Sequence, residues 1–415
     1  MVGIYRTLGY SEYLPEYGFG VDVMTFHYQM DDRGFFKIYP DDADAYYQTS
    51  WKGSTVYRVV RKPSKTKKVL DLADRILGIR QAKNLLLLTF GHFLKANHSW
   101  DSYRSFKRAL WKVLENEKYS LIICINYPEY HLRLGYEARR KFGVHFVPDF
   151  KDLLWDNRLA KSGNRKKLNL RVIDGISGLW VKKWLREALF ITTSSVRWSQ
   201  VIQKYTDQPL EVVSNGFDQI ESSGDWAFEH FTIGYAGSLN SDQLVKPFLK
   251  GLGEWLMRSK RQVRLLFLRT PQTSLLKETL DTYGLSDFVA FLPATEKSEA
   301  VGFVQSCHLL WYPAARTMPG WIPDKVYDFI FSKTPVILSP GDNGIVEEMV
   351  LGSKAGSVLN SADEVQLFLE TQYQKWAGGE ELRSHVTEES LQPYRRESQV
   401  KKLSLVIDRY LNSTA

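Results

Sequence analysis

IPDKVYDFIFSKTPVILSPGDNGIVEEMV, residues Ile322 to Val350, carries the pattern that decides the fold. Pro323 suits the first position of a helix, where its fixed φ and missing N–H cost nothing. Val326, Phe329 and Ile330 then fall on one face at helical spacing, an apolar stripe meant for burial. The run Pro335 to Leu338 (PVIL) is short, apolar and β-branched, as in a strand covered on both faces. Asn343, in the turn PGDNG, is the expected cap of a second helix. Helix, strand and helix in immediate succession predict one repeat of a doubly wound α/β sheet.

The same alternation runs back through the second half. Strands are expected at Thr232–Ala236 (TIGYA), Val263–Leu268 (VRLLFL), Phe288–Leu292 (FVAFL) and Leu309–Tyr312 (LLWY). Helices are expected at about Gln243–Met257 and Ser274–Tyr283. The first half repeats the style, with strand-like runs at Val21–Phe26, Val56–Val60, Leu85–Thr89, Leu121–Ile125 and Val144–Val147. Helical spacing falls at Arg104–Lys118 and Tyr130–Lys141. Strands alternating with helices predict parallel sheets with helices on both faces. The polar segment Ser214–Asp225 (SNGFDQIESSGD) reads as a hinge between two such units. The expected division is an N-terminal domain over 1–213, a C-terminal domain over 214–395 and a last helix over 396–415 that returns to the first domain. Two doubly wound domains would face each other across a cleft. Ligands of open parallel sheets bind outside the carboxyl ends of the strands.

Composition narrows the function classes. Among 415 residues, 44% are hydrophobic and 25% charged, which fits folded rather than disordered protein. The two cysteines, Cys124 and Cys307, match neither a disulfide framework nor a CxxC metal site. The eight histidines show no HExxH spacing, and there is no P-loop or GxSxG elbow. No apolar run approaches the roughly 20 residues of a spanning helix. A cytoplasmic protein is therefore expected. The net charge of +8 suits an anionic ligand or the face of an anionic membrane. Two basic stretches, Arg61–Lys68 and Lys161–Arg171, read as solvated loops with a specific patch as the alternative, and the charge alone suggests peripheral contact with an inner membrane. No RNA- or DNA-binding signature accompanies the charge, so no nucleic-acid partner is expected.

Three strand-to-loop junctions carry candidate chemistry. Gly237, directly after a strand, lets backbone amides approach an oxyanion, though a strand-ending turn needs the same residue. Gly320-Trp321-Ile322 leads into the helix that opens near Pro323, whose N-terminal amides suit a phosphate. Lys325 and Asp328 share a face there. The cation could neutralise a diphosphate and the carboxylate could accept hydrogen bonds from a ribose diol. An ordinary exposed ion pair has the same spacing. The third junction, Pro340–Gly344, is read mainly as a cap. In the first half, Asp149 follows the strand ending at Val147. A carboxylate in that place can meet sugar hydroxyls or act as a base, or it is a solvated turn residue.

In this order the motifs resemble the retaining glycosyltransferases of family four, which have the GT-B fold of two Rossmann-like domains around a central cleft. Glu12–Thr25 (EYLPEYGFGVDVMT) looks like the helix-turn-strand near that family's start. Val147–Asn157 (VPDFKDLLWDN) is similar to its DxRDxW-like stretch. Val212–Asp218 (VVSNGFD) resembles its hinge, Ile233–Leu239 (IGYAGSL) its opening C-terminal strand and loop, and Ile322–Val350 its donor-binding helix, strand and loop.

The resemblance implies transfer of a sugar, with retention, from a nucleotide diphosphate sugar to a saccharide or lipid-linked acceptor in cell-surface polysaccharide synthesis. It implies no cofactor and no required metal. Lys325 and Asp149 are the expected catalytic residues. Gly237, Ser238, Arg269, Gly320, Trp321, Ile322, Lys325 and Asp328 are the expected donor-binding residues, with Asp328 in the place of the family's second glutamate. The chain also departs from the pattern. Gly320 stands where the first acid is usual, and Ser238 where an arginine is usual. Lys246 and Arg269 are the candidates to replace the lysine that follows. The chain starts, at Gly3, about where the family has the loop after its first strand, so that strand is expected to be lacking. These departures keep two alternatives open, a non-catalytic GT-B subunit that supports an active partner and a GT-B sugar epimerase.

Overall fold

A computed structural model describes residues 2–26, 28–31, 34–37, 44–61, 99–126, 128, 130–151, 153, 178–239, 245–258, 261–316 and 318–413. The expected strand Leu85–Thr89, the basic stretch Lys161–Arg171 and all of Arg61–Lys68 except Arg61 lie outside the described residues. The chain divides into two units. One comprises Met1–Asn215 with Val400–Ala415, the other Gly216–Gln399. The first crossing therefore falls at the start of the segment read as a hinge.

The second unit is built on six parallel strands, β10 (Phe231–Ala236), β11 (Val263–Leu268), β12 (Val289–Leu292), β13 (Leu309–Tyr312), β14 (Val336–Leu338) and β15 (Gly356–Val358). Their order across the sheet is β12-β11-β10-β13-β14-β15. Counted from β10 this is 3-2-1-4-5-6, the order of a doubly wound sheet that reverses direction between β10 and β13. The strands are largely apolar because helices cover the sheet, and Phe231, Ile233, Tyr235, Phe267, Leu309 and Trp311 are completely buried. Trp311 stacks on Phe248 at 4.5 Å and donates its indole N–H to the Ser339 carbonyl at 3.0 Å.

The chain opens with helix α1 (Val2–Tyr13); α2 (Ser99–Asn116), α3 (Tyr130–Phe142) and α4 (Val196–Ile202) follow in the first unit. The second unit contributes α5 (Lys246–Met257), α6 (Ser274–Thr282), α7 (Lys297–Ser306), α8 (Asp324–Phe331), α9 (Ile345–Gly352) and α10 (Ala362–Ala377). Local chemistry starts several of them. Thr273 accepts the Leu276 N–H at 3.3 Å, and Ser361 with Glu364 forms a capping box on α10. Two expectations about starts change. Pro323 is the cap before α8 rather than its first residue. Gly344 rather than Asn343 is the cap of α9, and the carboxylate of Asp342 reaches the amides of Gly344, Val346 and Glu347 at 3.2, 3.2 and 3.0 Å. Asn343 instead turns the chain with φ +48°.

The first unit holds a parallel sheet in the order β6-β7-β8-β9, from β6 (Leu121–Ile125), β7 (His145–Phe150), β8 (Ile191–Thr193) and β9 (Leu210–Val212). Here β7 runs beyond the expected Val147 and takes Asp149 into the sheet, opposite Thr192. The remaining strands correct the expectation of purely parallel pairing. β1 (Val23–Phe26) runs parallel to β5 (Ser54–Val59), but β4 (Tyr46–Trp51) pairs with β5 antiparallel, and β2 (Tyr28–Asp31) with β3 (Gly34–Lys37) likewise. The β4–β5 hairpin turns on Lys52 and Gly53, both at positive φ, the two-residue turn whose twist matches paired strands. The last helix, α11 (Arg396–Asn412), crosses back into this unit. Its Val400, Leu403, Val406 and Ile407 fall on one helical face and pack with Tyr10, Leu14, Val147, Phe190 and Val213.

Candidate active site

In the second unit the loops at the carboxyl ends of β10 and β13 flank the point where strand order reverses, and most of the expected donor-site residues lie on them. Gly237 follows β10 at φ +103°, a conformation that disfavours any other residue. Its N–H donates to the Leu268 carbonyl at 2.9 Å, and its own carbonyl accepts from the Thr270 hydroxyl at 2.7 Å. A Cβ at Gly237 would lie 3.5 Å from the Lys325 Nζ. The bare backbone thus leaves the ammonium uncovered on that side.

Lys325, in the first turn of α8, reaches across to the end of β10. Its Nζ donates to the Ser238 carbonyl at 2.8 Å and to the Tyr235 hydroxyl. The Tyr235 hydroxyl in turn donates to the same carbonyl at 3.0 Å. The ammonium lies 4.6 Å from the Tyr235 ring centroid and 5.7 Å from that of Tyr312. Burial lowers its pKa from the usual lysine range to about 7. Gly237, Ser238 and Lys325 are therefore one cluster, as expected, and Tyr235 is a member that the spacing did not single out.

Arg269 occupies the equivalent position after β11. It is exposed, sits at φ +56° and ties its N–H to the Leu292 carbonyl at 3.0 Å. Lys246 is the exposed first residue of α5. Gly320, at φ +85°, and Trp321, half-buried, form the turn before α8, while Ile322 is buried in the core. The side chain of Ile322 is thus a packing element, and only its backbone is left for a ligand. Asp328, one turn along α8, is paired with the ammonium of Lys297, the first residue of α7. That lysine had no signal in the sequence beyond its place after β12. Next to this edge, Arg316 clamps the β14–α9 loop, donating to the Gly341 carbonyl and the Asn360 side chain, each at 2.7 Å.

Asp149 belongs to the first unit, and its geometry differs from that expected of a base. The side chain is completely buried. One oxygen accepts from Arg6 Nε at 2.6 Å and the Tyr10 hydroxyl at 3.1 Å; the other accepts from Arg6 Nη2 at 2.7 Å and the Thr192 hydroxyl at 2.8 Å. All four lone-pair directions are taken. Arg6 also donates to Asn215 at 3.2 Å. This is a structural ion pair that joins α1, β7 and β8. Its carboxylate is engaged because the strand carries it inside the sheet.

Among the described residues no three His, Cys, Asp or Glu side chains are grouped to hold a metal ion, and no helix is long and apolar enough to cross a membrane.

Neither protein-family models nor curated protein sequences match the chain. Solved structures do. Sucrose-phosphate synthase from Thermosynechococcus elongatus is similar over 97% of this chain and 92% of its own, at 13% identity and a TM-score of 0.61. HepE from Anabaena, in complex with UDP, is similar over 84% of this chain and 98% of its own, at 14% identity and a TM-score of 0.53. A glycosyltransferase from Rickettsia africae is similar over 74% and 80%, at 11% identity and a TM-score of 0.50. The chain has their GT-B fold of two Rossmann-like α/β domains.

Proposed function

We propose that the chain is a glycosyltransferase that takes its sugar from a nucleoside diphosphate donor. The observation that carries this reading is the position of Lys325, whose ammonium lies against the Gly237–Ser238 turn where strand order reverses. A cation in partly dry surroundings, beside backbone amides of a helix start, is suited to charge that grows on a departing diphosphate. The bond from the anomeric carbon to the phosphate oxygen breaks, a bond to an acceptor hydroxyl oxygen forms, and the hydroxyl's proton passes to the departing phosphate oxygen. The nucleoside diphosphate leaves with the negative charge that Lys325 meets. Asp328, one turn deeper, would receive the ribose, with Arg269 and Trp321 at the rim. The reading needs no metal, because Lys325 supplies the positive charge. Asp149 serves it by holding α1 against the sheet rather than as a base.

The finer parts of the proposal are retention at the anomeric carbon and a saccharide or lipid-linked acceptor of cell-surface polysaccharide, met in the cytoplasm or at the inner face of a membrane. The motif order of Ile322–Val350 and the positive net charge support them. UDP-sugars are the first donors to try, since HepE was captured with UDP-glucose. The test is incubation with a panel of nucleotide sugars and saccharide acceptors, with detection of released nucleoside diphosphate and NMR of the product's anomeric centre. Release that depends on Lys325, with the donor's anomeric configuration kept, is expected. No release and no thermal shift with any donor would overturn the reading.

A further inference from the structure

Tyr312 ends β13, facing the reversal point from the side opposite Tyr235. It is 2% exposed, and its ring meets Phe329 edge-on at 6.1 Å. The two tyrosines share the Lys325 ammonium between their rings but differ in what their hydroxyls do. That of Tyr235 is engaged with Ser238 and Lys325. That of Tyr312 makes no hydrogen bond with any described residue. Burial, with Tyr235 and Asp342 nearby, pushes the Tyr312 hydroxyl well above the usual phenol range. It is therefore a neutral O–H donor at every working pH. The hydroxyl is not sealed from solvent, so a ligand can reach it. Phenylalanine would fill the same space, as Phe248, Phe267 and Phe329 do in the surrounding core.

We propose that the Tyr312 hydroxyl is a ligand group of the donor site, donating a hydrogen bond to a phosphate oxygen of the nucleoside diphosphate. This rests on the nucleotide-sugar reading above and adds a residue to it. The phosphate is the fitting acceptor because the Tyr312 ring lies 5.7 Å from the Lys325 ammonium, which borders Gly237. The ribose is assigned to Asp328, further along α8. A neutral donor beside Lys325 shares the diphosphate's charge without adding to the desolvation cost of a second cation.

Tyr312→Phe removes one oxygen and leaves the packing unchanged. The probes are UDP, GDP and ADP with their nucleosides, titrated into the full chain by calorimetry and NMR. For the nucleotide that the wild type binds, the variant should bind the diphosphate about tenfold more weakly. Its affinity for the matching nucleoside should stay within about twofold, and its melting temperature should be equal or higher. Equal diphosphate affinity in the two proteins would overturn the proposal. So would a parallel loss for the nucleoside, or a marked fall in melting temperature, because each would give the hydroxyl an internal role. A wild type that binds none of the three diphosphates would instead sink the reading on which this one rests.

Discussion

Lys325 and Ser238 lie 87 residues apart in the chain, and the lysine ammonium donates to the serine carbonyl at 2.8 Å. This bond links the start of α8 to the end of β10 across the reversal point of the sheet. It also holds a cation where burial disfavours charge.

The first prediction concerns pH. Burial lowers Lys325 to about 7 in the folded protein, against an ordinary lysine range once unfolded. Between pH 7 and about 10.4 the unfolded chain therefore holds a proton that the folded chain lacks, so stability rises with pH over this window. The penalty is full below pH 7. Lys325→Met should accordingly be more stable than the wild type at pH 6.5, by about 1–2 kcal/mol after allowing for solvent screening. The difference should vanish toward pH 10.5. Urea unfolding across pH measures it, and a difference independent of pH would contradict the assignment.

The ion pair of Arg6 and Asp149 makes the second. Breaking a buried pair by removing one partner costs about 3–5 kcal/mol. Arg6→Met should destabilise the protein by that order in chemical unfolding, with Asp149→Asn in the same direction. If Asp149 were instead a solvated base, its substitution would leave stability unchanged and affect turnover alone.

The third separates two adjacent residues at α9. Asp342→Ala removes a carboxylate that receives three amides and should cost about 1–2 kcal/mol. Asn343→Gly should be neutral or slightly stabilising, because φ +48° suits glycine. Thermal melts of the two variants decide which side chain holds the start of α9.

These residues also mark where the sequence could be read. In the second unit the strands are mostly apolar runs, so Val263–Leu268 and Leu309–Tyr312 are found at the bounds that their composition suggests. Periodicity fails where contacts are distant. Nothing near Asp149 in the chain discloses Arg6, which arrives from 143 residues away, and the strand reaches Phe150 because that pair satisfies the carboxylate inside the sheet. The β4–β5 hairpin does carry a signal in the sequence. Strand formers flank Lys52–Gly53, and a two-residue turn at positive φ pairs neighbours antiparallel. Lys297 was hidden for the same reason as Arg6, since its partner Asp328 lies on another helix. The Gly237, Ser238 and Lys325 cluster was legible because strand ends and helix starts gather at one edge of a parallel sheet.

Calorimetric titration of UDP, GDP and ADP into the wild type and Lys325→Met, at pH 6.5, tests the central claim most directly. One diphosphate should bind the wild type at one site per chain. The variant should bind it about 10- to 100-fold more weakly, the range for a lost hydrogen bond to a charged group. Exposed Lys354→Met should leave the affinity unchanged. Equal affinity in the wild type and Lys325→Met, or no diphosphate bound by either, would contradict the account.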